Sequence, residues 1–79
     1  MKEIFIKMDF GDGWASDQVD VMMPFALVTF KRKGALMHAR LDLDKRIFID
    51  APPEGASKEL ASKLVDQIVE KIRPKTQLA

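Results

Sequence analysis

The chain has 79 residues, of which 47% are apolar, and 13 basic against 12 acidic side chains leave a formal net charge of +1. A chain this short forms one domain that hides only about 60 to 65% of its surface on folding. Its small charge gives no overall attraction to nucleic acid or to an anionic membrane. The absence of cysteine excludes disulfides, thiolate metal sites and thiol nucleophiles.

The apolar segments are short, and no linker or repeat separates them. None reaches the roughly 18 residues that a membrane span needs, and Glu3 and Lys7 interrupt the N-terminal segment before it can act as an export signal. We therefore predict a cytoplasmic protein that binds no membrane and folds as a single domain over residues 1–79. Its ordered core should span about residues 3–73, and residues 74–79 should form a ragged tail.

The first predicted element is a strand over residues 3–10. Apolar side chains recur there at every second position, which is the period of a strand with one buried face. Gly11 and Gly13 favour positive φ angles, so the chain should reverse at this point and continue as a loop through Asp17.

Residues 18–31 predict a second strand, because β-branched and aromatic residues are frequent in them. Pro24 lacks the N–H that a central ladder needs and should mark a bulge, an edge or a break, which makes this strand long and bent. A short helix over residues 17–23, capped by Asp17, is the alternative for its first half.

Two further strands are predicted after a hairpin. Residues 31–34 fit a three-residue loop in which the glycine takes the left-handed conformation. Alternation resumes over residues 35–43, which predict the third strand. A turn then leads to a short fourth strand over residues 46–50.

The last predicted element is a helix that begins after the proline-rich segment 51–55. Ser57 is able to cap its N-terminus, and an apolar stripe with helical spacing follows. The helix should end just before Pro74. The predicted fold class is therefore α+β, an antiparallel four-stranded sheet in the order β-β-β-β-α with one C-terminal helix packed on one face.

Alternation assigns each strand residue to one side of the sheet. The side that should receive the helix holds Ile4, Ile6, Met8, Val19, Val21, Met23, Leu27, Met37, Ala39, Leu41, Ile47 and Ile49. The opposite side, called the second face below, should be polar if it meets water. It nevertheless receives six apolar residues, namely Phe5, Met22, Val28, Phe30, Leu36 and Phe48. A single helix of about 25 Å cannot cover two faces.

These six residues, together with His38, predict an interaction surface on the second face. Their cluster would exceed the roughly few hundred Å² of contiguous apolar surface that monomers usually expose. We therefore predict a non-enzymatic protein-interaction module that forms a homodimer or binds a protein partner. In the alternative arrangement the sheet curls into a partial barrel and hides the second face within one chain.

Nucleic-acid binding is the alternative function. In the four-strand arrangement, one end of the sheet gathers an aromatic ring that can stack a base and cations that can bind phosphates. These residues are Trp14, Lys45, Arg46, Lys71 and Arg73. Nearby acids such as Asp42 oppose a polyanion, and cations at the helix C-terminus already favour the helix dipole. Trp14 has a second interpretation, as a lid over the core of its own chain.

No residue pattern predicts catalysis or a cofactor. His38 is the only histidine, and no serine or cysteine near it in sequence completes a nucleophile pair. Asp42 and Asp44 fit a turn better than a calcium loop. The sequence therefore predicts neither a catalytic site nor a metal site.

Overall fold

Five strands and one helix form an α+β fold in the computed structural model, which describes residues 2–76. In chain order the elements are β1 (Lys2–Gly11), β2 (Trp14–Met22), β3 (Phe25–Arg32), β4 (Ala35–Asp42), β5 (Ile47–Phe48) and α1 (Lys58–Thr76). The strands form one antiparallel sheet in the order β1-β2-β3-β4-β5, and α1 packs on one of its faces. The predicted fold class is confirmed, with five strands in place of four.

The additional strand results from a sharp turn at Met23 and Pro24. Met22 pairs with Phe25 across these two residues, so the predicted long strand over residues 18–31 is wrong and the segment forms a hairpin. Pro24 has no N–H to donate to a ladder, and a turn does not require this donor. The predicted irregularity at Pro24 is therefore a complete reversal of the chain.

This turn changes which side chains face the helix. In an uninterrupted strand Met22 and Phe25 would lie on opposite faces, but as partners across a two-residue turn they share one face. Every side chain of β3 therefore lies on the face opposite to the predicted one. Val28 and Phe30, predicted on the second face, are 0% exposed in the core, whereas Leu27 lies on the second face.

Two tight turns connect β1 to β2 and β3 to β4. Asp12 and Gly13 form the first, with φ angles of 53° and 83°, and Lys33 and Gly34 form the second, with φ angles of 51° and 80°. Positive φ at both central residues is the geometry of a type I′ hairpin, whose twist matches that of the strands. The three-residue loop predicted at 31–34 is thus a two-residue turn.

β2 begins directly after the first of these turns, at Trp14. The predicted loop through Asp17 and the alternative helix over residues 17–23 are therefore both wrong. A β-bulge at Asp17 breaks the alternation, because Ser16 and Gln18 pair with consecutive residues of β3 and so face opposite sides. This irregularity made the start of the strand resemble a loop.

β5 is shorter than predicted, and its side chains face the other way. The predicted strand over residues 46–50 has only two residues. Phe48 packs against the core and is partly buried, whereas Ile47 is 51% exposed. The preceding turn causes this inversion, because Arg46 takes a φ of 56° and its N–H donates to the carbonyl of Asp42 at 2.8 Å.

α1 begins and packs as predicted. The Ser57 Oγ accepts a hydrogen bond from the N–H of Leu60 at 3.1 Å, which confirms Ser57 as the N-cap. The buried stripe consists of Ala61, Leu64, Val65, Ile68, Val69 and Ile72. The helix continues past Pro74 to Thr76, because a proline in the last turn removes only one backbone hydrogen bond. The first part of the predicted tail, 74–79, is thus helical, and the rest lies outside the described residues.

The core lies between α1 and one side of the sheet. One row of paired residues crosses four strands on this side, namely Ile4, Val19, Val28 and Ala39. Each of them is at most 7% exposed. Full burial of a side chain such as valine or isoleucine contributes about 1.5 to 3 kcal/mol. Burial between helix and sheet therefore contributes substantially to stability.

Candidate interaction surface

The second face of the sheet, opposite α1, carries exposed apolar side chains. Their exposed fractions range from 39% for Leu27 to 69% for Phe5. The group consists of Phe5, Met22, Phe25, Leu27, Leu36 and Ile47. Because α1 packs on the other face, these side chains remain in contact with solvent.

Strand pairing corrects the predicted interface. The predicted residues that do lie on the second face are Phe5, Met22, Leu36 and His38. Three others point toward α1, because the turns before β3 and β5 invert the alternation; these are Val28, Phe30 and Phe48. Because of the same inversion, the alternation pattern did not predict that Phe25, Leu27 and Ile47 lie on the second face. A two-residue hairpin turn at Met23 and Pro24, if assumed from the sequence, would have placed Phe25 and Leu27 on the second face.

Strand pairing also arranges the second face in rows. Three of these rows contain, in strand order, Met22, Phe25, Asp42 and Ile47; Glu3, Asp20, Leu27 and Arg40; and Phe5, Gln18, Thr29 and His38. The first row lies at the end of the sheet that carries the Met23–Pro24 turn. Apolar side chains are concentrated at this end, since Leu27 of the second row follows Phe25 on the same strand and face.

Charge is unevenly distributed over the second face. In the second row, Glu3 and Asp20 lie on β1 and β2, whereas Arg40 lies on β4. Lys31 of β3 donates a hydrogen bond to Asp17 of β2 at 2.6 Å, and this bond holds the pKa of the Asp17 carboxyl below its usual value. Most acids of the face thus lie on β1 and β2, and most bases lie on β3 and β4.

His38 lies at the edge of the second face, on β4. Its Nδ1 is 3.3 Å from the hydroxyl oxygen of Thr29. A groove of about 510 Å³ beside it separates β4 from residues 50–54, and the Arg40 Nε donates to Asp50 there at 3.0 Å. Within residues 2–76, no three His, Asp or Glu side chains are grouped so that they could hold a metal ion.

The structure separates the residues of the predicted nucleic-acid site. Trp14 lies at one end of the sheet, next to the turn between β1 and β2, whereas Lys45 and Arg46 lie at the other end, in the turn before β5. The turn between β2 and β3, which the sequence did not predict, causes this separation. It adds one strand, so the turn before β5 lies at the opposite end of the sheet from the predicted one. Arg46 is directed toward α1, where it pairs with Asp66 at 3.4 Å and with Glu70 at 3.2 Å.

The remaining cations of that predicted site do not complete a basic surface. Lys71 and Arg73 are exposed near the end of α1. Lys71 shares a shallow depression with Asp66 and Glu70, whose charges oppose a polyanion. Trp14 is 1% exposed and has no ring face free to stack a base. The predicted grouping of these five residues is therefore wrong.

Trp14 belongs to the core rather than to a binding site. The Arg32 guanidinium lies over its ring, 5.0 Å from the centroid, and Phe30 forms a T-shaped pair with the ring at a centroid distance of 5.9 Å. A cation over a tryptophan face contributes about 0.5 to 2 kcal/mol. Gly55 lies directly against the Arg32 guanidinium, since a Cβ added to it would overlap this group. The interpretation of Trp14 as a lid over its own core agrees with this geometry.

Gly55→Ala is expected to displace Arg32 from Trp14. Gly55 has a φ of 91°, so the variant should lose about 1 to 3 kcal/mol through backbone strain. Water that replaces the guanidinium should shift the fluorescence of Trp14, the only tryptophan, to longer wavelength. Gly34→Ala is the matched control, because Gly34 has a φ of 80° and open space around it. It should show similar strain without the shift, and a Gly55→Ala spectrum identical to wild type would contradict the stack.

Comparison with known proteins does not identify the function, so the geometry of the second face is the main basis for a functional proposal. Within residues 2–76, the helix is not long and apolar enough to cross a membrane. We found no matching family model, no similar curated protein and no similar solved structure.

Proposed function

We propose that the chain is a non-enzymatic protein-interaction module that self-associates as a homodimer through its second face. The main support is that one helix covers one face of a five-stranded sheet, while exposed apolar side chains cluster on the other. Apolar clusters of this kind on small proteins usually mark contact surfaces. Association of two such faces releases water from apolar surface, which is favourable.

A second copy of the chain suits this face for two reasons. The face carries both acids and bases, so it can be complementary to itself, and the net charge of +1 causes little repulsion between copies. Four strands about 4.8 Å apart and about eight residues long make a face of roughly 500 Å². Two such faces bury roughly 1,000 Å², near the lower limit for specific interfaces. We therefore expect a dimer that dissociates at low concentration.

We also propose a cytoplasmic location and no catalytic role. A chain without cysteine suits a compartment in which disulfides do not form. The second face carries mostly apolar side chains and surface charges, which suit contact with a protein better than proton transfer or nucleophilic attack.

Sedimentation equilibrium should show an average mass that rises from one chain toward two as the concentration increases from low to high micromolar. Leu27→Glu should suppress this rise, because it places a charge near the centre of the contact and adds to the acids already on this face. We expect association to weaken at least about tenfold, or about 1.4 kcal/mol. Gln67→Glu is the matched control, since it adds the same charge on the exposed side of α1.

Each result has a distinct meaning. A wild-type chain that stays monomeric at high micromolar concentration would overturn the proposal. Equal association of Leu27→Glu and wild type would mean that the dimer uses another surface. Circular dichroism checks that the variant is folded, which we expect because Leu27 is 39% exposed.

A further inference from the structure

We infer that the two-fold axis of this dimer runs along the strands, between β2 and β3, and places Glu3 of one copy against Arg40 of the other. This inference rests on the proposed self-association and adds an orientation to it. The partner surface is thus the same face of a second copy, turned so that opposite charges meet.

The order of charges within one row supports this orientation. The paired residues across β1, β2, β3 and β4 are Glu3, Asp20, Leu27 and Arg40. The row is negative at β1 and β2 and positive at β4, and its ends lie about 14 Å apart at three strand spacings. Glu3, Leu27 and Arg40 are exposed and Asp20 is half-exposed. One copy therefore presents opposite charges at separate positions of a single row.

For two sheets packed with aligned strands, two-fold symmetry then distinguishes two orientations. An axis along the strands exchanges β1 with β4 and β2 with β3, and it keeps each row opposite its own copy. Glu3 of one copy then faces Arg40 of the other, and this contact occurs twice. An axis across the strands instead places β1 on β1 and β4 on β4. The acidic strands β1 and β2 then lie against the same strands of the other copy, and Arg40 no longer faces Glu3.

The same axis also aligns apolar side chains. Met22 and Phe25 are partners across β2 and β3, and they are 59% and 47% exposed. An axis between these two strands places Met22 of one copy opposite Phe25 of the other. An axis across the strands would carry this row to the far end of the other copy. Apolar contact and charge pairing therefore favour the same orientation, within the roughly 30° usual for aligned sheets.

Arg40 is able to make this contact although it already pairs with Asp50. The side chains of Arg40 and Asp50 are 60% and 64% exposed. Ion pairs at such exposure are weak. A guanidinium also has enough donors to bind a second carboxylate at the same time.

Charge reversal tests the orientation. Glu3→Arg and Arg40→Glu should each weaken self-association about tenfold, because like charges then meet at both symmetric positions. The double variant should return to within about threefold of wild type, since the opposite charges are exchanged and restored. An equimolar mixture of the two single variants should form the heterodimer. Sedimentation equilibrium measures all four samples against wild type.

Neutral variants provide a second measurement with less disturbance of the fold. Glu3→Gln and Arg40→Gln each remove one charge from an exposed side chain. If the two charges contact each other, the double neutral variant should weaken association no more than the single variant with the larger effect. If the sites are independent, the two effects should multiply.

Failure of the orientation and failure of self-association give different results. A wild type that dimerises, together with a double charge reversal weaker than either single variant, overturns the orientation and leaves self-association intact. Multiplying effects in the neutral variants lead to the same conclusion. A wild type that stays monomeric overturns the proposed function, and the orientation with it.

Discussion

Phe30→Ala is expected to lower the free energy of unfolding by about 3 to 5 kcal/mol. Phe30 is 0% exposed, and its ring centroid lies 6.0 Å from that of Phe10, 5.9 Å from that of Trp14 and 6.2 Å from that of Phe48. Truncation leaves a cavity that the packed sheet and helix fill only in part. A domain of this size has about 4 to 12 kcal/mol of stability in total. The variant should therefore lose at least about a quarter of this stability.

Urea denaturation followed by circular dichroism measures this loss. Phe5→Ala is the matched control, because it makes the same substitution at a residue that is 69% exposed, and it should change the free energy of unfolding by no more than about 0.5 kcal/mol. Measurement at low micromolar concentration separates folding from association. Similar losses in the two variants would contradict a register in which Phe5 and Phe30 lie on opposite faces.

Trp14→Ala is expected to lower the free energy of unfolding by a similar amount, about 3 to 5 kcal/mol. Trp14 is 1% exposed although it directly follows a turn. Its ring contacts the Arg32 guanidinium and forms a T-shaped pair with Phe30. Truncation removes both contacts, and it also removes the apolar surface next to Gly55.

Circular dichroism is the suitable probe, because this variant lacks the only tryptophan. Arg32→Met is the comparison variant, since it keeps an apolar chain over the ring and removes the cation. It should lose no more than about 2 kcal/mol. A Trp14→Ala variant as stable as wild type would contradict the core role of Trp14 and would return base stacking to consideration.

Local patterns predicted most elements of the fold. The cap at Ser57 and the buried helical stripe depend on residues that are neighbours in sequence, and the structure confirms both. The alternation in β4 correctly placed Leu36 and His38 on the second face. These predictions succeeded because no turn or bulge interrupts the segments on which they depend.

The candidate surface was predicted only in part, and Pro24 explains most of the difference. A proline in this position is compatible with a bulge, an edge or a break, and composition does not distinguish them. The two-residue turn that forms there inverts β3, which buries Phe30 and exposes Leu27. It also moves Trp14 to the end of the sheet opposite Arg46, which removes the basis of the nucleic-acid prediction.

Sequence information was sufficient for the fold class and for the helix. Periodicity specifies these features, because it depends on neighbouring residues alone. The three-dimensional pairing of strands was needed to identify which apolar residues form each face and which charges share a row. A side chain's face depends on every turn and bulge before it, and contacts between residues distant in sequence fix the lengths of those turns.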